Sequence, residues 1–99
     1  MKKLFISQPM KGKTDEEILK ERKEAISLAK LIINEDVEVI DSFVKNAPND
    51  AKPLWFLGKS FEFLSKADIA YFCDGWSNYR GCCMEHNACL QYGIKIIKD

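Results

Sequence analysis

Four short apolar runs alternate along the chain with three segments whose apolar residues recur at helical spacing. The runs cover residues 4–6, 37–40, 68–73 and 94–97, a length typical of buried strands. Strands that alternate with helices form a parallel sheet, because a right-handed crossover through a helix returns the chain in the same direction. The order β-α-β-α-β-α-β therefore predicts an α/β domain, in which an open parallel sheet of about four strands has helices on both faces.

Each predicted helix carries a local signal at one of its ends. Thr14 followed by Glu17 forms a capping box, so the first helix should begin there and extend to about Asn34. Pro53 suits the first turn of the second helix. The third helix is predicted over residues 81–92 and should end at the glycine that follows.

Apolar residues at steps of three and four predict the face that each helix buries. For the first helix this stripe comprises Ile18, the stem of Arg22, Ala25, Ile26, Ala29, Ile32 and Ile33. For the second helix it comprises Leu54, Leu57, Phe61 and Leu64. Trp55, Phe56 and Phe63 then form a second apolar surface, and because a small domain seldom buries two faces of one helix, we expect part of it to be a homodimer interface.

The composition limits the partners that the chain attracts. Its 99 residues suit a single domain over residues 1–99, and 15 basic residues balance 15 acidic ones. Because there is no net charge, neither a nucleic acid polymer nor an anionic membrane surface is an expected partner. No run approaches the ~18 apolar residues of a membrane span, and the early polar residues do not resemble a signal peptide, so a cytoplasmic protein is predicted.

Four cysteines, Cys73, Cys82, Cys83 and Cys89, are crowded into one part of the chain. Together with His86, the last three place soft donors at helical spacing, but structural zinc sites usually draw ligand pairs from two separate segments. Adjacent cysteines in a chain without a secretory signal also argue against two disulfides. We therefore expect reduced, mostly buried thiols, and neither a metal nor a cofactor.

Residues 68–93 have the arrangement in which open α/β sheets hold ligands, beyond the carboxyl end of a strand. The strand breaks at an Asp-Gly pair, and a loop with Arg80 and Gly81 then opens a helix that carries Glu85 in its first turns. Gly81 lets a backbone approach a ligand, and Arg80 adds a positive charge beside the carboxylate. Glu85 is thus a candidate nucleophile, although the helix macrodipole alone would also favour a glutamate there.

The loop after the first strand is the second candidate for ligand contact. Gln8 and Met10 flank a proline, and Lys11, Gly12 and Lys13 offer charges and backbone N–H groups just before a helix N-terminus. A phosphate could dock there, and equally the segment could be a plain surface loop. The chain lacks both the dinucleotide glycine motif and the Walker pattern, which argues against dinucleotide oxidoreduction and ATP hydrolysis. Because parallel strands end at one edge, this loop and the segment before Glu85 should form opposite walls of one crevice.

Short motifs follow one another over nearly the whole chain. They are Ile-Ser-Gln-Pro-Met-Lys-Gly at 6–12, Leu-Gly-Lys-Ser at 57–60, Ala-Asp at 67–68, Asp-Gly-Trp at 74–76, Arg-Gly at 80–81, Glu-His at 85–86 and Tyr-Gly at 92–93. The ordered set resembles the small nucleoside 2-deoxyribosyltransferase-like proteins, and most of all their short bacterial and phage branch. The most specific part of the resemblance is the strand that ends in Asp-Gly and is followed by Arg-Gly-x-x-x-Glu.

The resemblance implies a three-layer Rossmann-like, or flavodoxin-like, sheet and a reaction at C1′ of a nucleoside or nucleotide. In such proteins a glutamate at the position of Glu85 attacks C1′, expels the base and leaves a glycosyl ester that water or a second base resolves. Lys11, Lys13 and Arg80 fit a phosphorylated substrate somewhat better than a bare nucleoside. Relatives often complete the site with residues of a neighbouring subunit, which again predicts a homodimer.

The chain departs from the family at the residues that assist the nucleophile. Ser60 stands where relatives usually carry an acid in the second helix, and Tyr79 stands where a second acid often precedes the nucleophile. A serine cannot act as a carboxylic acid tuned for proton donation, so Asp74 is the candidate replacement, although it could equally cap its own turn. Trp76 and Tyr79 could either stack on the base or close the loop onto the core.

We therefore predict a nucleoside or nucleotide N-glycosidase or 2-deoxyribosyltransferase with Glu85 and Asp74 as catalytic residues. The predicted substrate-binding residues are Ser7, Gln8, Met10, Lys11, Gly12, Ser60, Trp76, Tyr79, Arg80 and Gly81. The leading alternative is a pocket that sequesters a nucleotide, or a nucleotide-derived signal, without catalysis. A third possibility is an interaction module that uses the apolar surface of the second helix.

Overall fold

Four apolar segments form one parallel sheet in the computed structural model, which describes residues 1–42, 44 and 46–99. The strands are β1 (Lys2–Ser7), β2 (Val37–Val39), β3 (Ile69–Phe72) and β4 (Lys95–Lys98). They lie in the order β2-β1-β3-β4, and every neighbouring pair is parallel. The predicted α/β class is confirmed, and each strand lies within two residues of its predicted run.

In the described part of the chain, three helices connect these strands. They are α1 (Asp15–Ile33), α2 (Pro53–Leu64) and α3 (Arg80–Tyr92), with a short 3-10 turn at Trp76–Asn78 before α3. The predicted capping box is present: Thr14 Oγ1 accepts from the Glu17 N–H at 3.2 Å, and the Thr14 N–H donates to Glu17 Oε1 at 3.3 Å. Gly93 ends α3 in the left-handed conformation, with φ of 73°. Within the described parts of the chain, no helix has the length and apolar character needed to cross a membrane.

One face of the sheet is covered by α1. Its buried Ala25 and Ala29 lie in a cluster with Leu4 and Ile6 of β1. Ile32 was predicted in this stripe, but the residue is 49% exposed. The prediction is wrong for Ile32. Ile33, four residues after Ala29, packs on the cluster, so Ile32 lies at the margin of the stripe.

The other face of the sheet is covered by α2 and α3. Leu64 of α2 and Cys89 of α3 are buried against Phe5 and Phe72 of the sheet. Because side chains alternate along a strand, Ser7 projects to the same side of β1 as Phe5. A polar residue at the end of β1 therefore faces the side of the sheet on which α2 and α3 lie.

The buried face of α2 differs from the predicted one. Leu54 and Phe61 were expected to be buried, but they are 74% and 40% exposed. Leu57 and Ser60 instead face a cavity, and Leu64 enters the core. Apolar residues occupy most of the circumference of α2, so their spacing alone does not distinguish its inner face. The position of the helix against the sheet and α3 selects it.

The four cysteines, all among the described residues, carry free thiols, and three of them are buried. Burial raises the pKa of Cys73 to about 12 and the pKa of Cys89 to about 11. Burial also raises the pKa of the Cys82 thiol. These three side chains are therefore protonated at neutral pH and act as small apolar residues.

Candidate active site

The order in which strands are added to the sheet reverses between β1 and β3, as at the topological switch point of other open α/β sheets. From β1 the chain passes to β2 on one side and then crosses to β3 on the other. The connections that leave β1 and β3 consequently run to opposite faces, which opens a crevice at the carboxyl ends of the two strands. A cavity of about 290 Å³ occupies this position. Its lining consists of Phe5, Ile6, Ser7, Gln8, Pro9, Met10, Ser42, Pro53, Leu57, Ser60, Tyr79, Gly81, Cys82 and Glu85.

Glu85 carries the one carboxyl group among the described residues that line this cavity. Its side chain is buried, and Oε1 accepts a hydrogen bond of 2.7 Å from the Ser7 hydroxyl. Seventy-eight positions separate the two residues, and they meet because β1 pairs with β3 and α3 follows β3. The sheet topology therefore brings a hydroxyl donor against the candidate nucleophile.

The surroundings of Glu85 shift the pKa of its carboxyl in two opposite directions. Burial raises the pKa of its carboxyl above the ordinary value, whereas side-chain hydrogen bonding with Ser7 and Ser60 lowers it, and burial is the larger influence. Ionised, the group is an oxygen nucleophile at the cavity wall. Protonated, it can donate a proton. The pH therefore decides which chemistry this side chain offers.

The raised pKa leads to a prediction about stability. When the pKa of a carboxyl is higher in the folded than in the unfolded state, its contribution to stability is fully present at a pH below the pKa of the unfolded state. This contribution is lost as the pH rises through the pKa of the folded state. We expect Glu85→Gln to be more stable than the natural protein at pH 7.5, and the gain to shrink toward pH 4. Thermal unfolding followed by circular dichroism at several pH values measures this.

Glu24 provides the matched control, because it is an exposed glutamate on α1. Glu24→Gln should change stability by no more than about 0.5 kcal/mol at either pH. A Glu85→Gln protein that is less stable at pH 7.5, or whose gain does not depend on pH, would contradict the assigned direction of the Glu85 pKa.

The structure brings together seven of the residues that the sequence predicted for the site. They are Ser7, Gln8, Met10, Ser60, Tyr79, Gly81 and Glu85. Five predicted residues lie outside the lining, namely Lys11, Gly12, Asp74, Trp76 and Arg80. The first loop and the segment before Glu85 do form facing walls, and α2 supplies a third.

Asp74 lies at the surface beside β4. Its side chain is 93% exposed, and Oδ1 accepts a hydrogen bond of 3.0 Å from Lys98 Nζ. The carboxylate is therefore held away from the cavity that contains Glu85. Its placement does not support the role of proton donor to a leaving base.

Trp76 adopts the second of its two expected roles, that of closing the loop onto the core. Its ring stacks on His86 with the centroids 4.1 Å apart and the planes 10° from parallel. Trp76 Nε1 donates to the backbone oxygen of Asp99 at 3.0 Å, and His86 Nε2 lies 2.9 Å from Asp99 Oδ2. These contacts attach the turn before α3 to Asp99, the residue that follows β4.

The cationic residues of the two loops do not reach the cavity. Lys13 Nζ forms an ion pair with Glu21 at 3.1 Å, while Lys11 and Arg80 are exposed. No lysine or arginine occurs among the described residues of the lining. The described lining therefore offers no side-chain charge that supports the expected preference for a phosphorylated ligand.

The first turn of α3 gives the cavity a partly positive wall. Tyr79 is the N-cap residue and makes no side-chain capping bond, and Gly81 and Cys82 line the cavity just after it. The first N–H groups of a helix have no partner within the helix, and the macrodipole adds positive potential there. Hydroxyl or phosphate oxygens of a ligand would be favoured at this wall.

Sequence reasoning missed several residues that line the cavity. Ser42 follows β2, so the rule that ligands lie at the carboxyl ends of parallel strands would have indicated it. Cys82 precedes Glu85 by three positions and Leu57 precedes Ser60 by three, which places each on the same helix face as a predicted residue. No comparable signal marks Pro53 as part of the site.

A second cavity, of about 710 Å³, lies on the same face at the opposite edge of the sheet. It is bounded by the end of α2, the residues before β3 and the end of α3, and is mostly apolar. Asp68, its one carboxylate among the described residues, is exposed and accepts the Lys3 N–H at 2.7 Å. The smaller cavity is the better candidate site because it combines the carboxyl edge of the sheet with a buried ionisable group.

Comparison with known proteins supports the fold. No protein-family model matches the chain, and no curated protein matches it. Among solved structures, the chain is similar to a conserved protein from Enterococcus faecalis V583, with a TM-score of 0.66 and 14% sequence identity. The match covers 97% of this chain and 61% of that protein, so this chain corresponds to a little over half of its length. At this identity the likeness concerns the fold alone, which is a Rossmann-like α/β arrangement.

Proposed function

We propose that this protein cleaves the N-glycosidic bond of a nucleoside or nucleotide, as a hydrolase or a 2-deoxyribosyltransferase, with Glu85 as the nucleophile. The observation that carries the proposal is the buried Glu85 carboxyl, which accepts the Ser7 hydrogen bond in a cavity at the strand-order reversal. The cavity volume of about 290 Å³ is near the lower end of the range of about 300–1,000 Å³ for small-molecule sites. A compact ligand of nucleoside size suits it.

The proposed reaction has two steps. A Glu85 carboxylate oxygen bonds to C1′ while the bond from C1′ to the base nitrogen breaks, and the electron pair leaves with the base, which takes a proton from solvent. Water or a second base then attacks C1′ of the glycosyl ester and loses a proton to solvent, while the bond from C1′ to the Glu85 oxygen breaks and releases the carboxylate. The Ser7 hydroxyl orients the attacking group, and the partly positive start of α3 favours sugar oxygens near the first turn of that helix.

A second candidate function is nucleotide binding without catalysis. One observation favours this binding function. Glu85 is the one carboxyl among the described residues of the lining, and so these residues offer no second acid that could protonate a leaving base. The raised pKa of Glu85 also reduces its ionised fraction at a given pH. The small-molecule partner and the homodimer expected from the sequence remain predictions under both functions.

Intact-mass spectrometry with 2-deoxy-2-fluororibosyl nucleosides tests the proposed enzyme. The fluorine slows hydrolysis of a glycosyl ester, so we expect the protein mass to increase by one fluorodeoxyribosyl group and peptide mapping to locate it on Glu85. Chromatography of ordinary nucleosides and their monophosphates should show free base. A protein that forms no adduct and releases no base, but is stabilised thermally by an intact nucleotide, would instead have the binding function.

A further inference from the structure

The larger cavity lies between the carboxyl ends of two helices, and the proposed reaction does not use it. Its volume of about 710 Å³ falls within the range of about 300–1,000 Å³ that small-molecule sites occupy. Leu64 and Ser65 line it at the end of α2. Tyr92 and Gly93 line it at the end of α3. Two helix ends of the same polarity therefore meet at one cavity.

The two helix ends give this cavity a negative potential. The last carbonyl groups of a helix have no partner within the helix, and the macrodipole places a partial negative charge there. Lys30 lies in the last turn of α1, whereas neither α2 nor α3 has a basic residue in its last turn. The described residues of the lining include no lysine or arginine. The lining side chains described therefore do not neutralise this potential.

Asp68 adds a carboxylate to the same cavity. The residue is exposed and lines the cavity, and its Oδ2 accepts the Lys3 N–H at 2.7 Å. The second oxygen, Oδ1, takes no part in this bond and can accept a hydrogen bond from a ligand. Lys66, two positions before Asp68, is exposed and absent from the lining. Asp68 is thus the one charged residue in the described lining.

Two aromatic side chains also line the cavity. Phe61 of α2 is 40% exposed, and Tyr92 of α3 is 84% exposed, so a ligand can reach both rings. The face of an aromatic ring attracts a cation through its quadrupole, and aromatic rings are the usual partners of organic ammonium groups. The rings also offer apolar surface to the rest of a ligand. The rings, the carboxylate and the helix ends therefore favour the same ligand chemistry.

We propose that this cavity binds an organic cation, a molecule that carries an ammonium group on an apolar or aromatic body. The ammonium group pairs with Asp68 near the helix ends, and the body packs against Phe61 and Tyr92. An anion is disfavoured by the carboxylate and by both helix ends. This ligand is independent of the nucleoside proposed for the smaller cavity, because the two cavities lie at opposite edges of the sheet.

Three probes of similar size and different charge test the proposal. They are 2-phenylethylammonium, 2-phenylethanol and phenylacetate, and their binding to the isotope-labelled natural protein is followed by NMR amide shifts at pH 7. We expect the ammonium probe to bind about fivefold or more tightly than the alcohol, and phenylacetate to bind most weakly. The shifted amides should belong to residues 61–68 and 88–94.

Two variants remove the groups that recognise the cation. Asp68→Asn removes the charge and keeps an oxygen that can accept the Lys3 N–H. The preference for the ammonium probe over the alcohol should fall to within about twofold, through weaker binding of the ammonium probe. Phe61→Leu keeps an apolar side chain without the ring, and should also reduce the preference. Glu62→Gln is the matched control, because it removes an exposed charge of α2 outside the lining, and the preference should persist.

Several results would overturn the proposal. They are equal binding of the three probes, shifts that map to another part of the protein, a preference that survives Asp68→Asn, and no binding of the ammonium probe at concentrations up to about 10 mM. Each of these results leaves the proposed reaction at Glu85 unaffected, because neither Asp68 nor Phe61 lines the smaller cavity. Failure of base release would likewise leave the binding of the cation unaffected.

Discussion

Under the proposed function, replacing Glu85 by glutamine should abolish base release almost completely. The amide occupies the same volume, and its oxygen can still accept the Ser7 hydrogen bond, so the cavity should retain its shape. A neutral amide is a poor nucleophile, and removal of an enzyme's nucleophile typically costs several orders of magnitude in rate. We expect kcat/KM to fall by about 10³-fold or more, measured as free base by chromatography.

Glu62 supplies a matched control on α2. It is an exposed glutamate whose carboxylate contacts Lys59 at 3.4 Å, and it is absent from the cavity lining. Glu62→Gln should change kcat/KM by less than about twofold. If Glu85→Gln retains base release at a comparable rate, Glu85 is not the nucleophile. The expected increase in thermal stability of the same variant would show that the loss of rate does not arise from unfolding.

Replacing Phe72 by alanine should lower the free energy of unfolding more than any other substitution proposed for this protein. Phe72 is fully buried on the face covered by α2 and α3, and its ring centroid lies 4.9 Å from that of His86 and 5.6 Å from that of Trp76. Truncation leaves a void between β3 and α3 and removes the support of this aromatic group. We expect the free energy of unfolding to fall by about 3–5 kcal/mol, measured by urea denaturation.

Leu31 is the matched control for this experiment, since it is apolar but 75% exposed on α1. Leu31→Ala should alter the free energy of unfolding by no more than about 0.5 kcal/mol. Phe72→Leu gives an intermediate variant that retains most of the apolar volume, and it allows a measurement if the alanine variant is largely unfolded at 25 °C. Equal losses for Phe72→Ala and Leu31→Ala would contradict the described packing of β3 against α3.

Much of the secondary structure could be predicted because its signals are local. The Thr14 and Glu17 capping box, Pro53 at the start of α2 and Gly93 after α3 each act on backbone groups within a few residues. The alternation of strands and helices also predicts a parallel sheet, because crossover connections have one preferred hand. These features were confirmed without adjustment beyond one or two residues at the ends of elements.

The composition of the site could be predicted only in part. The carboxyl-edge rule selected the edge of the sheet at which the candidate cavity lies, and it predicted that Ser7, Gln8 and Glu85 lie near one another. It did not show that Lys13 would be neutralised by Glu21, or that Asp74 would pair with Lys98 at the surface. Such pairings depend on how side chains of different segments are placed in the fold, which a sequence pattern does not determine.

The sequence by itself determined the elements of this protein, their order and the presence of a glutamate at the start of the helix after β3. Capping, glycine conformation and apolar spacing act over a few residues, and their outcome can be predicted from the chain alone. Only the tertiary structure decided that Ser7 lies 2.7 Å from Glu85, that Trp76 turns toward His86, and that α2 presents Ser60 to the cavity. The physical reason is that these contacts join residues of different elements, and the packing of helices against the twisted sheet selects among faces of similar apolar character.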